Sequence, residues 1–488
     1  MNTTPPFPPA LWEQTPLAVR EYIRTLEARV AALEATVQQW LERLHQDSHH
    51  SSRPPSSDLP HAMRPRPRRG ASGRQRGGHP GHPGQSRALA PIEEVDIGVP
   101  VKPRQCRRCQ HPWQGEEPQP YRHQVPAVPP IKPVVTEYQL HRLICPACGM
   151  PTRADLPLGV SPGGFGPRVP AIVALCTGAY PLSKRTTQEV MADLFGLSMS
   201  LGTIPHLEQA TGQAVADPVA EARTSIRAQP VAHLDETGWR EGHTRAWLWA
   251  AVTAWVTGFV VRLSCGAKVA QEWLGARFCG ILVTDRWSAY TWYPPRWRQI
   301  CWAHLLRDFE AMIERGGQSQ EIGEGLRAQA WQMFHAWHRV RDGTLPHAEF
   351  RVLVRPIRCH VARLLRAGQT CGMGKTEGVC REVLKVYDAL WTFVRVEGVE
   401  PTNHAAARAI RPGVLWRQGS FGTQSANGSR FVEAMMTVVA TLKQQHRNVL
   451  TYMTEACQAA YMGPCTLTPP SLHRGQSRPS RHRVTCNT

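Results

Sequence analysis

Residues 229–237 read QPVAHLDET and residues 280–287 read GILVTDRW. Each is an apolar run that ends in an acid, Asp235 in the first and Asp285 in the second. Such runs predict buried strands. Between them, RAWLWAAVTA (245–254) and GFVVRLS (258–264) predict two strands joined by a turn at Thr257-Gly258. AKVAQEWLG (267–275) reads as helix, and WRQICWAHLLRDF (297–309) as a strand passing into a helix. Strands and helices in alternation predict an α/β core.

Outward from this core, residues 305–400 read as mainly helical, and 403–411 and 430–459 as further helices. Residues 165–228 are also helical. Within them, TTQEVMADLFGLSMSLGTI (186–204) has a helix, a turn at Gly196 and a second helix from near Ser200, a helix-turn-helix outline. Residues 17–46 predict a helix whose Ile23, Leu26, Val30, Leu33, Val37, Trp40 and Leu44 recur at three- and four-residue steps. That spacing makes a coiled-coil seam, or the buried stripe of one amphipathic helix.

Residues 47–90 are rich in Ser, Pro, Gly, His and Arg and too poor in apolar groups to offset the entropy of ordering. Arg64, Arg66, Arg68, Arg69, Arg74 and Arg76 give this flexible stretch a dense positive charge suited to tracking phosphates. The chain has 488 residues and a formal net charge of +19, which points to a polyanionic partner, nucleic acid before a membrane surface. No leader pattern opens it. The longest apolar stretch, Ala246 to Val261, is shorter than the ~18–20 residues of a spanning helix. The expectation is a soluble, cytoplasmic, nucleoid-associated protein.

Of the 14 cysteines, four stand as Cys106-Arg-Arg-Cys109 and Cys145-Pro-Ala-Cys148. Two such pairs are a common way to build a four-thiolate zinc site, and four protein ligands leave no open position, so the Zn2+ is structural. Asp235 and Asp285, at the ends of neighbouring strands, can share Mg2+ or Mn2+ for phosphodiester chemistry. Aspartates also close strands as turn or capping residues, and spacing alone leaves both readings open. Arg408, Arg411 and Arg417, beside Trp416 and Phe421, suit phosphate contact and base stacking. Structural packing of Trp416 is the alternative. His304 reads as a helix cap or a neighbour of the metals.

At these residues the chain resembles the transposases of the insertion sequence 66 family over nearly its whole length. The matching pieces are the N-terminal zipper, GGHPGHPG (77–84), the paired cysteines, HLDETGWR (233–240), VTDRWSAY (283–290) and CWAHLLRDF (301–309). They continue with PTNHAAARAIRP (401–412) and WRQGSFGTQSANGSRFVE (416–433). The resemblance implies a bacterial DNA transposase of the two-aspartate-plus-glutamate type, with a ribonuclease-H-like core and a helical insertion before its last helix. It implies cleavage and strand transfer at the terminal repeats of an insertion element. Asp235 and Asp285 match the first two catalytic acids. Where the family has Asn-Asn-Ala-Ala-Glu-Arg-Ala, this chain has Asn403-His404-Ala405-Ala406-Ala407-Arg408-Ala409. The glutamate position is Ala407, and a methyl group cannot ligate a metal. Glu433, Glu236, Asp308 and Glu310 read as surface or capping acids rather than substitutes. Glu236 in particular is expected on the other face of its strand. His404 is a weak candidate ligand.

The reading is an α/β multidomain chain. It has a leucine-zipper-like coiled coil at 11–46, a basic linker at 47–97, a small zinc-binding module at 98–160 and a helical DNA-binding region at 165–228. A ribonuclease-H-like core follows at 229–460, with a helical insertion at about 305–400, then a disordered basic tail at 461–488. The partners are double-stranded DNA (transposon ends and target), a second copy of the chain or more, and accessory proteins of the same element, with no membrane. The competing readings are a DNA-binding remnant that cannot cut and a zinc-dependent DNA-binding regulator.

Overall fold

The computed structural model describes residues 12, 14–45, 88–112, 115–462 and 471–472. The six linker arginines, the GGHPGHPG block and nearly all of the tail lie outside the described residues. The chain divides into two compact units, Met63–Val135 with Asp193–Leu197, and the remainder.

Helix α1 (Leu17–His45) carries the predicted seam, and its Leu26, Val30, Leu33 and Val37 are exposed. A two-stranded antiparallel hairpin, β1 (Arg142–Ile144) and β2 (Pro151–Arg153), frames Cys145 and Cys148. Four helices follow: α2 (Arg168–Gly178), α3 (Lys184–Phe195), α4 (Thr203–Ala214) and α5 (Ala216–Arg227). Gly196, at φ +63°, stops α3 in the left-handed region that glycine favours. Ser200 Oγ accepts the Thr203 N–H at 3.2 Å, a local turn that leads the chain into α4.

Strands β3 (Val231–Glu241), β4 (Thr244–Val252) and β5 (Thr257–Arg262) form an antiparallel meander. Strands β6 (Ile281–Thr284) and β7 (Arg298–Ile300) add to its β3 side in parallel, giving the sheet order β5-β4-β3-β6-β7. The hairpin turn falls at Thr253–Val256, not at Thr257-Gly258. Thr253 closes it, its Oγ1 accepting the Val256 N–H at 3.1 Å. Gly258 lies inside β5 because helices press on the sheet there: a Cβ on it would stand 2.7 Å from Ile226 Cδ1 and 3.1 Å from Trp273 Cζ2.

Alternate residues of the strands face different cores. Ala232, Leu234 and Leu282 pack with α2, α5, α6 (Ala267–Leu274), α13 (Ala426–Gln444) and α14 (Val449–Met462). Trp239, Leu248 and Phe259 pack with Ile410 of α12 (His404–Ser420) and with Val432 and Met436 of α13. Ile281, Val283 and Ile300 reach a third core built from α7 (Trp302–Glu314), α8 (Gly317–Arg341), α9 (His347–Gly368), α10 (Gly374–Lys385) and α11 (Thr392–Arg395). These helices are inserted between β7 and α12. Among the described residues, no helix is long and apolar enough to cross a membrane.

Candidate active site

The parallel register pairs Val231 with Ile281 and His233 with Val283. Two residues further on stand Asp235, in the middle of β3, which continues to Glu241, and Asp285, just past the end of β6, close enough for the charge of Asp285 to act on Asp235. Each aspartate uses one oxygen locally. Asp235 Oδ1 accepts the Glu236 N–H at 3.1 Å, and Asp285 Oδ1 accepts the Trp287 N–H at 2.9 Å. Among the described residues neither Oδ2 has a hydrogen-bond partner. Asp285 is thus a turn residue whose second oxygen is still available. Burial pushes Asp235 up to about 7, and the charge of Asp285 adds to it. Burial raises Asp285 as well, opposed by the Trp287 N–H and by Arg298, Arg286 and Arg307.

Glu236 is not the surface acid expected. It is half-buried and accepts a short hydrogen bond from the Tyr290 hydroxyl. Burial pushes it up to about 8, with Asp285 and then Asp235 contributing repulsion. Tyr290 packs with Ala232 and Leu234, so Glu236 lies on their face of β3, as alternation expects, yet within electrostatic reach of Asp285. The other acids are held in ion pairs: Asp308 with Arg286 at 2.6 Å, Glu310 with Arg327 at 2.9 Å, and Glu433 with Arg262 at 3.2 Å. Glu433 also accepts the Val261 N–H at 2.7 Å.

Arginines surround the carboxylates. Arg298 is 2% exposed and donates from Nη2 to Thr284 Oγ1 at 3.2 Å and to the Asp285 carbonyl at 3.3 Å. Burial lowers it to about 10, while Asp285 partly restores it. Arg307, on α7, is half-buried and within electrostatic reach of Asp235, Asp285 and Asp308. His304, one turn earlier, has a buried Nδ1 without a partner, so its imidazole is not capping the helix. Burial, then Arg307, His404 and Arg286, hold it neutral at about 3.

Helix α12 brings the fourth wall. Asn403 is 1% exposed and donates from Nδ2 to the Leu234 carbonyl at 2.6 Å, next to Asp235. Ala407 follows one turn later, exposed. Arg408 and Arg411 are exposed on the same helix, whereas Arg417 donates from Nη1 to Gly238 O at 2.6 Å and Thr237 Oγ1 at 3.1 Å. Trp416 meets Trp239 edge-on at 6.1 Å, and Phe421 is exposed. Among the described residues, no three His, Cys, Asp or Glu side chains are gathered as a group able to hold a metal.

The two cysteine pairs sit on turns of the same form, each within its own unit. Cys106 N–H donates to His111 O at 2.8 Å and Gln110 N–H returns to Cys106 O at 2.9 Å. Cys145 N–H donates to Met150 O at 3.0 Å and Gly149 N–H returns to Cys145 O at 2.8 Å. Gln110 and Gly149 both have positive φ, +60° and +72°. The backbone N–H groups of Cys109 and Arg108 lower the Cys106 thiol, and those of Cys148 and Ala147 lower Cys145.

Sequence reasoning set Glu236 aside and did not anticipate Tyr290, Arg298 or Arg307 around the acids. The one available signal was that Arg298 and Arg307 flank CWAH, the segment expected to run from strand into helix.

A model of the family "Transposase IS66 family" matches residues 163–430. A family described only as of unknown function (DUF6444) matches residues 9–88. A protein of Sinorhizobium fredii, "Uncharacterized protein y4qI", is 26% identical over 238 residues, which is 43% of this chain and 43% of that protein. The shared stretch thus spans less than half of that relative's length. The family match covers more than half of the present chain and takes in both aspartates, the arginines around them and Ala407; the chain belongs to the IS66 transposase family.

Proposed function

We propose that this chain is a DNA transposase that binds the terminal repeats of its insertion element and cuts and joins DNA at Asp235 and Asp285. The observation that supports this reading is that Asp235 and Asp285 each follow by two residues a paired position of adjacent strands, His233 and Val283, and each keeps an unpartnered oxygen. The sheet order, three antiparallel strands extended by two parallel ones, supports a ribonuclease-H-like core with α7 to α11 as its insertion. The donor set suits a hard divalent cation: two adjacent carboxylates that repel one another gain from a shared positive charge. Mg2+ or Mn2+ held there would supply the activation of a water or 3′-hydroxyl and the stabilisation of the leaving oxygen.

Around that pair, the chain's own groups have distinct roles. Arg298 supports the Asp285 loop from below, and Arg286, paired to Asp308, pins the loop to α7. Tyr290 holds Glu236. Arg307 faces the acids and is suited to a scissile phosphate. Arg408 and Arg411 offer further phosphate contacts, with Arg417 bracing β3, and the linker arginines Arg64, Arg66, Arg68, Arg69, Arg74 and Arg76 track the backbone. Each of the turns Cys106–Cys109 and Cys145–Cys148 offers a pair of thiols whose donor chemistry suits Zn2+. The exposed stripe of α1 suits pairing with a second copy.

A second reading, a DNA-binding remnant that no longer cuts, is favoured by one observation: Ala407 stands where the third carboxylate is expected. The deciding experiment is cleavage of a labelled element end with Mg2+ or Mn2+ by the chain, its Ala407→Glu version and its Asp235→Ala version. Cleavage by the unaltered chain, lost on Asp235→Ala, establishes the active enzyme. Cleavage only after Ala407→Glu establishes the remnant. No cleavage by any version, under conditions where the protein binds the end, overturns the assignment of Asp235 and Asp285.

A further inference from the structure

Helix α9 turns Phe350, Val354, Ile357, Val361 and Leu365 into the core of the insertion. Its other side carries arginine. Arg351, Arg355, Arg363 and Arg366 are exposed, and Arg358 lies beside them with its guanidinium 5.6 Å from the centre of the Trp391 ring. At 3.6 residues per turn, the four exposed arginines fall within an arc of about 120° clear of the buried stripe, with Arg358 at the edge between the two. At 1.5 Å rise per residue, the row from Arg351 to Arg366 is about 22 Å long.

Among the described residues, none of the four exposed arginines forms an ion pair. The helix's own acid, Glu349, sits in its first turn. Like charges one turn apart, such as Arg351 and Arg355, work against the helix unless an anion lies over them. The face has no aromatic anchor of the kind that dominates protein–protein interfaces. What it offers is a band of planar donors shaped for phosphate oxygens. A duplex presents the complement, one phosphate per strand about every 3.4 Å along its axis.

We infer that this face of α9 is a docking surface for double-stranded DNA, separate from the aspartate pair and read through the phosphate backbone without regard to sequence. It rests on the reading that the chain works on DNA, and extends it to DNA lying alongside the insertion.

The test uses the full chain and a 40-base-pair duplex of arbitrary sequence, bound over a series of salt concentrations. Each phosphate contact contributes about 0.9 to the slope of log affinity against log salt. The combined Arg351→Gln, Arg355→Gln, Arg363→Gln, Arg366→Gln variant is expected to lose about 2 or more from that slope, and at least tenfold in affinity near physiological salt. Arg358 is left intact because its stacking on Trp391 holds the fold. A second measurement needs no variant: alkylation of Cys359, exposed on the same face, read by peptide mass spectrometry. Saturating duplex is expected to slow it several-fold. An unchanged slope, or an unprotected Cys359 on a chain that binds duplex, overturns the docking surface and leaves the transposase reading standing. A chain without affinity for any duplex overturns both. DNA binding that survives in the variant while an acidic protein partner is lost assigns the face to protein instead.

Discussion

Asn403 Nδ2 donates to the carbonyl of Leu234 at 2.6 Å, so the start of α12 is latched to the strand residue that precedes Asp235. The same side chain accepts from His233 Nδ1 at 3.2 Å, and its backbone N–H meets Cys301 Sγ at 3.1 Å. One buried amide thus joins β3, the entry to α7 and α12. Asn403→Ala leaves a buried carbonyl and a buried imidazole without partners and is expected to destabilise the protein by about 1–3 kcal/mol. Thermal unfolding checks this, and a midpoint unmoved by the substitution would show that the latch carries no weight.

Ala407 donates its N–H to Asn403 O at 3.1 Å, one helical turn beyond the latch. The latch fixes where a side chain at 407 projects. Ala407→Glu is expected to tighten Mn2+ binding about tenfold, roughly 1.4 kcal/mol, by adding one carboxylate to the pair. Calorimetric titration with Mn2+ decides it. Equal affinity in both proteins places the third ligand elsewhere, with Glu236 the next residue to replace.

The acids give a pH dependence with a definite sign. Asp235 is raised to about 7 and Glu236 to about 8, so the folded protein keeps protons that the unfolded chain releases. The stability tied to those protons is present at low pH and is lost as pH rises towards 8. His233 and His304 are buried neutral, lowered to about 4 and about 3, and lose stability in the opposite sense as pH falls below 6.5. Only the acid window remains between pH 6.5 and 8. There, without divalent metal, the melting temperature is expected to fall. Asp235→Asn should flatten the fall and raise the midpoint by several degrees at pH 8. A profile identical to that of the unaltered protein would contradict these shifts.

The cysteine turns predict metal content. Purified protein should carry about one zinc per chain, and Cys106→Ser and Cys145→Ser should each remove most of it. Elemental analysis is sufficient. Zinc below that level, untouched by either substitution, would assign the turns a role without metal.

Gly422 has φ +128°, and a Cβ there would stand 2.3 Å from the Arg240 carbonyl oxygen. The contact is with backbone and cannot be relieved by a rotamer change. Gly422→Ala is expected to cost about 2 kcal/mol or more and to loosen the bridge between Glu241 and Thr423. Denaturant unfolding against the unaltered chain measures it.

The two strands were legible because a buried strand needs a largely apolar run, which 231–234 and 281–284 supply, but β3 runs on to Glu241 instead of ending at Asp235. The hairpin turn was not, since the glycine that drew attention, Gly258, serves packing against Ile226 and Trp273, contacts from distant elements. Glu236 was read as a surface acid because its burial against Tyr290 comes from a residue 54 positions away. Arg298 escaped notice because a buried arginine is intelligible only through its partners, the Thr284 hydroxyl and the Asp285 carbonyl. The turns around Cys106 and Cys145 followed directly from CxxC spacing. Trp416 took the structural alternative, against Trp239.

The helical insertion also sets a timetable. Leu234 and Asn403 are 169 residues apart in sequence, with α7 to α11 between them. At 5–20 residues per second, a ribosome needs roughly 10–30 s after making β3 before it delivers the residue that latches it. Through that interval β3 and its acids are present on the nascent chain without α12. A message cut short within the insertion therefore yields a protein with both aspartates and the segments before them, but no closed site.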